Sequence, residues 1–263
     1  MDRQVFLVGE QFRHDWIACI DSNVLLPTDA LVQLASKADA GTGMVCSPPI
    51  GSAPVGFASK LECAFLNCYQ ARWQSTGDAI GYGFAQGKVM YVRRAVVDAG
   101  GGIVALGTEP AEDAAATKLI RAQGLKVRLV DRFFEQPIPE RTLKEVWARQ
   151  LRWSQLRRAS FPVPFAAEIL SGSLLPHLLT AIACASAGTA ALPILLILFG
   201  IWYMTDQLLA RFVGWPSTVV YGMIRDALLP LLWTQAWFSK DFVWHGNIMR
   251  AERDAPQHTV NAR

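Results

Sequence analysis

Short apolar runs and stretches of helical spacing alternate along residues 1–158. The run Asp15–Ile20 is mostly apolar and ends on Asp21-Ser22-Asn23, as a buried strand does when it delivers polar side chains at its carboxyl end. Similar patterns predict further strands at Met44–Cys46, Lys88–Arg93 and Val127–Val130. The alternation is typical of an α/β domain, and open α/β sheets bind ligands at the carboxyl edge of their strands.

Four stretches place apolar residues three and four positions apart and so predict helices. They are about Asp29–Ala38, Pro54–Trp73, Glu112–Gln123 and Arg141–Arg158. The segment Gly77–Gly87 is rich in glycine and aromatic residues, which predicts an irregular loop near a ligand or a membrane surface. The last of the four helices is strongly basic, with six arginines and lysines against one glutamate.

Charge is unevenly spread, because the 80 residues from Ala159 to Phe238 hold five charged side chains against 42 in the other 183. Three apolar stretches in this region approach the twenty or so residues that a bilayer span requires. They are Ile169–Ala187, Ala190–Ala210 and Val219–Phe238. Since Arg225-Asp226 interrupts the last stretch, it is either a third span or a re-entrant or interfacial helix. We therefore expect an α/β domain at 1–158 that ends in the basic helix, a membrane domain of two or three helices at 159–238 and a polar tail at 239–263.

The overall composition excludes several classes of protein. With 52% apolar residues the chain is not disordered, and a net charge of +3 gives no electrostatic argument for binding nucleic acid. The five cysteines form no CxxC pair, which argues against a structural zinc site or a disulfide framework and favours a reducing cytoplasm. No basic region followed by an apolar core opens the chain, so no signal peptide is predicted.

Two acidic motifs are candidates for chemistry. The spacing of Asp21 and Asn23 suits a carboxylate and an amide oxygen that hold a divalent cation against a diphosphate. Asp-Ser-Asn is also a favourable turn and helix-cap sequence, and the motif alone favours that interpretation. Glu112-Asp113 opens a predicted helix, where acidic residues are stabilising without any further function.

A third motif lies in the basic helix. Arg149 and Arg152 share a helix face, which suits a multidentate grip on phosphate oxygens, and Trp153 beside them offers an amphipathic platform. The alternative is a basic helix lying against anionic lipid, and for Arg157 and Arg158 we favour that interpretation.

The order of these motifs resembles the ceramide glucosyltransferase family, which comprises membrane-bound inverting glycosyltransferases of the GT-A fold. That family has an early Asp, a second Asp in an Asp-Ser-x sequence, a third in a Glu-Asp pair and a Gln/Arg-x-x-Arg-Trp motif. Here Asp21-Ser22-Asn23, Glu112-Asp113 and Arg149-Gln150-Leu151-Arg152-Trp153 follow one another and precede the apolar stretches. Gly100-Gly101-Gly102-Ile103 and Ile224-Arg225-Asp226 extend the resemblance over nearly the whole chain.

The resemblance implies an α/β fold, a partial GT-A (nucleotide-diphospho-sugar transferase) domain followed by C-terminal transmembrane helices. It implies transfer of a hexosyl residue, glucosyl from UDP-glucose, onto ceramide at the cytoplasmic membrane face, with Mg or Mn as cofactor. The partners it implies are a UDP-sugar donor, a ceramide-like lipid acceptor and a membrane, without nucleic acid. By resemblance Asp113 is the general base, Asp21 and Asn23 are the metal and diphosphate ligands, and Arg149, Arg152 and Trp153 lie near the diphosphate and acceptor.

Two departures from the family pattern leave alternatives open. Only twenty residues precede Asp21, whereas related enzymes have a nucleotide-binding half there, so we expect that half to be missing. Vertebrate-type enzymes have a His-Pro-Arg where this chain reads Gln70-Ala71-Arg72. The alternatives are a truncated, inactive membrane-anchored remnant, or a transferase that acts on a hopanoid, sterol or diacylglycerol.

Overall fold

A computed structural model describes residues 14–107, 111–216 and 218–239, and the backbone of 241–244 and 247–250. The N-terminal residues on which the signal-peptide prediction rests, and most of the tail, lie outside these ranges. The strands are β1 (Trp16–Ile20), β2 (Thr42–Cys46), β3 (Ile50–Ser52), β4 (Val89–Arg93), β5 (Lys126–Leu129), β6 (Glu135–Pro137), β7 (Asp241–Trp244) and β8 (Asn247–Arg250). The α-helices are α1 (Ala30–Ser36), α2 (Gly56–Phe65), α3 (Ala71–Ala79), α4 (Arg94–Ala99), α5 (Ile103–Leu106), α6 (Glu112–Ala122), α7 (Leu143–Ser160), α8 (Pro162–Ala167), α9 (Leu174–Ser186), α10 (Ala191–Val213) and α11 (Val219–Phe238).

Four strands form a mixed sheet in the order β1-β4-β2-β5. Strand β4 is antiparallel to β1 and β2, whereas β2 and β5 are parallel. Because successive side chains of a strand point to opposite faces, Met44 packs with Ile120 of α6 while Val45 packs with Leu34 of α1. Helices thus cover both faces of the sheet, which confirms the predicted α/β fold.

A second, smaller sheet was not predicted from the sequence. It pairs β3 with β6 in parallel, and the Asn67 side chain binds the β3 backbone by accepting from the Gly51 N–H (2.8 Å) and donating to the Gly51 carbonyl (3.0 Å). Strands of three residues are too short to show a period, and Pro48-Pro49 directly before β3 indicates a turn.

Helices α2 and α3 belong to one continuous helix that ends at Ala79, six residues beyond the predicted end at Trp73. A π-helical segment, Leu66–Gln70, joins them, and all five of its residues are buried. Such a segment inserts an extra residue per turn and often marks a functional site. Here it is followed directly by the first turn of α3, which carries Arg72 and Trp73.

Helix α11 packs on the first part of the chain. Its Leu229 and Leu232 join a buried cluster with Leu61 and Phe65 of α2 and with Tyr69 of the π-helical segment. The third apolar stretch therefore has a packing partner within the protein, which periodicity alone did not reveal.

The charges inside α11 are paired. Arg225 is fully buried, with Nη2 at 2.7 Å from the carboxylate of Asp226 and at 3.0 Å from that of Asp206 on α10. Asp206 also pairs with Arg72 of α3 at 2.6 Å. These contacts explain how an apolar helix accommodates two charged residues.

Among the described helices, α10 alone is long and apolar enough to cross a membrane by itself. Residues Pro162–Ser171 and α9 reach this limit together, but the pair is bent by 64° at the break between them. Large apolar side chains on α9 and α10, such as Leu178, Leu192 and Leu196, are exposed. The predicted number of membrane spans remains a prediction.

Candidate active site

Two neighbouring strands place Asp21 beside Lys88. In the antiparallel pairing Ile20 lies opposite Val89, and one step further the Asp21 N–H donates to the Lys88 carbonyl at 3.0 Å. The Lys88 ammonium forms an ion pair with the Asp21 carboxylate. Asp21 to Asn23 make a turn closed by the Val24 N–H on the Asp21 carbonyl (3.1 Å), so the predicted turn is confirmed, whereas the motif does not cap α1, which begins at Ala30.

Asp113 is held by backbone groups at the start of α6. Its Oδ2 accepts from the Gly87 N–H (2.9 Å) and its Oδ1 from the Ala114 N–H (2.8 Å). The Thr117 hydroxyl donates to the Asp113 carbonyl (2.8 Å) and accepts from the Ala85 N–H (3.0 Å). The loop that precedes β4 is therefore tied to the first turn of α6, and the carboxylate orientation is fixed on both sides.

The environment acts on both acidic side chains of this helix start. Burial raises the pKa of Asp113, while the N–H groups of Gly87 and Ala114 and the positive charge of Arg157 oppose the rise. Burial and the charge of Asp113 likewise raise the pKa of Glu112. A carboxylate with a raised pKa is a stronger base than a solvated one, which suits proton abstraction at neutral pH.

The basic helix α7 contributes unequally to this region. Arg152 and Trp153 line the same cavity as Asp113, whereas Arg149 does not. The Arg149 Nε donates to the buried carboxylate of Glu62 at 2.8 Å, and its guanidinium lies 4.9 Å from the centre of the Trp153 ring. Arg149 thus contacts Trp153 and does not itself line the cavity.

The interpretation of Arg157 and Arg158 as lipid-facing residues is wrong. Arg157 makes two hydrogen bonds to Glu168 (2.8 and 3.0 Å), and Tyr69 donates a third to the same carboxylate at 2.6 Å. Arg158 is buried, with its guanidinium 5.7 Å from the centre of the Trp237 ring. Burial lowers the pKa of Arg157, but the Glu168 carboxylate and Tyr69 together outweigh this effect and raise it.

A cavity of about 460 Å³ brings these groups together. Its polar lining includes Asp21, Lys88, Glu112, Asp113, Arg152, Arg157 and Glu168, and its apolar lining includes Trp73, Ile80, Leu156, Phe161 and Phe165. Asn23 is exposed and does not line it. The volume falls within the range of small-molecule sites, and the lining provides a base, cations and apolar surface in one place.

The described residues hold no group of three or more His, Cys, Asp or Glu side chains arranged for a metal ion. A magnesium or manganese ion that shares its coordination with a diphosphate needs only one or two carboxylates from the protein. The half-exposed carboxylate of Asp21 lines the cavity and fits that kind of shared site, whereas Asn23 lies outside the lining and its part in metal binding stays a prediction.

Sequence reasoning missed Lys88, Gly87 and the Arg157–Glu168 pair as parts of this site. A Gly-Lys pair at the start of the predicted strand Lys88–Arg93 was the available signal for the first two. No local pattern in the sequence indicates that Glu168, which follows α8, pairs with Arg157 on α7.

One comparison with known proteins bears on this geometry. The model of glycosyl transferase family 21 matches residues 5–256, which include every acidic and basic residue of the cavity described above. The match extends over far more than half of the chain, so the protein belongs to glycosyl transferase family 21 and is a glycosyltransferase.

Proposed function

We propose that the protein transfers a hexosyl residue, glucosyl from UDP-glucose, onto the hydroxyl of a ceramide-like lipid at the cytoplasmic face of a membrane, in glycolipid synthesis. The observation that carries the proposal is the position of Asp113. Its carboxylate is fixed by two backbone N–H groups inside a cavity that also contains cationic side chains and a large apolar wall.

The proposed step is a single displacement. Asp113 accepts the proton of the acceptor hydroxyl while the oxygen forms a bond to the anomeric carbon. The bond between that carbon and the diphosphate oxygen breaks, and its electron pair leaves with UDP. Because the base and the leaving group lie on opposite sides of the carbon, the configuration inverts.

The diphosphate gains negative charge in this step, so positive groups near it stabilise the transition state. We assign Asp21 and Asn23 to a magnesium or manganese ion, which supplies charge neutralisation when bound. Arg152 lines the cavity and is assigned to the diphosphate, with Trp153 between donor and acceptor. Arg149 belongs to this group through its contact with the Trp153 ring.

The apolar part of the lining supports a lipid acceptor. Phe161 and Phe165 belong to the segment that leads from α7 into the apolar helices, on which Leu178 and Leu192 are exposed. An apolar cavity wall followed along the chain by exposed apolar helices suits the hydrocarbon part of a lipid acceptor.

The test is transfer of labelled glucose from UDP-glucose to added lipids by membranes that contain the protein, with ceramide, diacylglycerol and a sterol compared. Asp113→Asn keeps the shape and removes the base, and we expect a loss of roughly 10²–10⁴-fold in turnover. Asp98→Asn alters an exposed carboxylate on α4 and is the matched control. Normal transfer by the Asp113→Asn protein would remove Asp113 from the mechanism, and labelling of diacylglycerol or sterol alone would replace the proposed acceptor.

A further inference from the structure

We propose that Lys88 is a ligand of the donor diphosphate and exchanges partners during the reaction. In the free protein its ammonium binds Asp21, and in the donor complex it binds the diphosphate while Asp21 binds the divalent cation. The proposal rests on the proposed function for the identity of the donor, but it concerns a residue to which that function gives no role.

The placement of Lys88 carries the first part of the argument. Its side chain is only 19% exposed, and it lines the same cavity as Asp113 and Arg152. Lysine is seldom buried without a partner, since the ammonium loses its hydration. Asp21 supplies that partner, yet 46% of the Asp21 side chain remains exposed, so the pair stands at the open side of the cavity.

The loop on which Lys88 lies gives the second part. Gly87 is held by Asp113 through its N–H, and the Lys88 carbonyl is held by the Asp21 N–H. The backbone on both sides of the lysine is therefore fixed, while its four-carbon stem can rotate. A lysine ammonium acts as a mobile point charge, unlike the planar fork of an arginine.

The charges in the cavity give the third part. Four carboxylates line it: Glu168 is paired with Arg157, while Asp21, Glu112 and Asp113 lie on the Lys88 side, and a diphosphate adds further negative charge. Burial and the charge of Asp113 raise the pKa of Glu112, and the positive charge of Lys88 opposes that rise, so the ammonium acts on the acidic helix start as well as on Asp21. A diphosphate that enters between these groups replaces Asp21 as the nearest anion and leaves Asp21 free for a cation.

The exchange moves no proton. As the bond from the anomeric carbon to the diphosphate oxygen breaks, the N–H groups of Lys88 donate to oxygens that gain charge, and the lysine stays an ammonium. When UDP leaves, the ammonium returns to Asp21. Lys88 thus has two anionic partners and never remains unpaired.

Direct binding measurements test the exchange, because the two steps predict opposite effects of one substitution. Lys88→Met removes the competitor for Asp21, so we expect Mn²⁺ alone to bind more tightly, by about tenfold, in titrations followed by electron paramagnetic resonance. The same variant loses a charge-assisted hydrogen bond to phosphate, so we expect UDP to bind roughly 10- to 100-fold more weakly by calorimetry. Lys88→Arg keeps the charge and should stay within about threefold of the parent for UDP.

Lys37→Met is the matched control, because Lys37 forms a similar pair with Asp131 at 2.7 Å and does not line the cavity. It should change neither affinity. Thermal unfolding checks that each variant is folded, and Lys88→Gln replaces Lys88→Met if the latter is not.

Unchanged UDP affinity in the uncharged Lys88 variant overturns the proposal, as does a parent protein that binds no UDP at all. Weaker UDP binding without tighter Mn²⁺ binding overturns the exchange with Asp21. If UDP binds as expected but no lipid is glycosylated, the proposed function fails while the role of Lys88 stands.

Discussion

Replacing Glu62 with glutamine tests how much the ion pairs of this residue stabilise the position of the basic helix α7. Glu62 lies on α2 and is fully buried, and its two carboxylate oxygens face Arg149 at 2.8 Å and Arg141 at 2.6 Å. Glutamine has the same shape but carries no charge. The substitution therefore leaves two arginines beside a neutral group without altering the packing volume.

Removing one partner of a buried ion pair typically costs about 3–5 kcal/mol. Arg141 and Arg149 keep about a fifth of their side-chain surface in solvent, so part of their charge can be rehydrated. We therefore expect the free energy of unfolding to fall by about 2–3 kcal/mol. For a chain of this length that corresponds to a decrease in Tm of roughly 5–10 °C.

Thermal unfolding in detergent, followed by tryptophan fluorescence, measures this decrease. Glu140→Gln is the control, since Glu140 is exposed and should leave Tm nearly unchanged. We also expect weaker transfer activity below the unfolding transition, because Arg149 supports Trp153. A Tm within about 2 °C of the parent would show that Glu62 is not the anchor of this helix.

Two further predictions concern the base. In Gly87→Ala the added Cβ would lie 3.0 Å from Glu112 Oε1 and 3.6 Å from Asp113 Oδ2. Steady-state kinetics should show kcat lowered by about tenfold, because a displaced base loses part of the 10²–10⁴-fold contribution of proton transfer. An unaltered kcat refutes the positioning role of the loop. Asp113 acts when ionised, and the positive charge of Arg157 opposes the rise of its pKa, so Arg157→Met should move the acidic limb of the kcat/KM profile to higher pH. Glu168→Gln removes the negative charge that neutralises Arg157 and should move the same limb to lower pH. Coincident profiles would exclude Arg157 as the source of that effect.

Local rules predicted the parts of the site that depend on local structure. The apolar run before Asp21 is β1, and Glu112-Asp113 does begin a helix, because strand ends and helix starts are set by neighbouring residues. The Asp21–Lys88 pair joins residues 67 positions apart, and its existence depends on β1 pairing with β4. Strand pairing over that distance leaves no periodic signal.

The same limit explains the residues whose environment was not foreseen. Arg149 meets Glu62 87 positions earlier, and Arg157 meets a carboxylate that lies beyond the next helix. The sequence of an apolar helix is the same whether lipid or protein covers it, so composition could not predict that α11 packs against α2. The roles assigned to Asp21, Asn23, Arg149, Arg152, Trp153 and Asp113 remain predictions for the experiments above.

The packing of α11 has a practical consequence for anyone who wishes to prepare a smaller protein for crystallisation. A cut after α7, where the composition changes, looks like a natural place to end an expression clone. Such a fragment would lack Leu229 and Leu232. It would expose Leu61, Phe65 and Tyr69 to solvent as an apolar patch that promotes aggregation. The indole of Trp147 would also lose Gln235, to which its N–H donates at 3.0 Å. The smallest unit worth purifying therefore extends at least to Ser239 and carries its apolar helices with it.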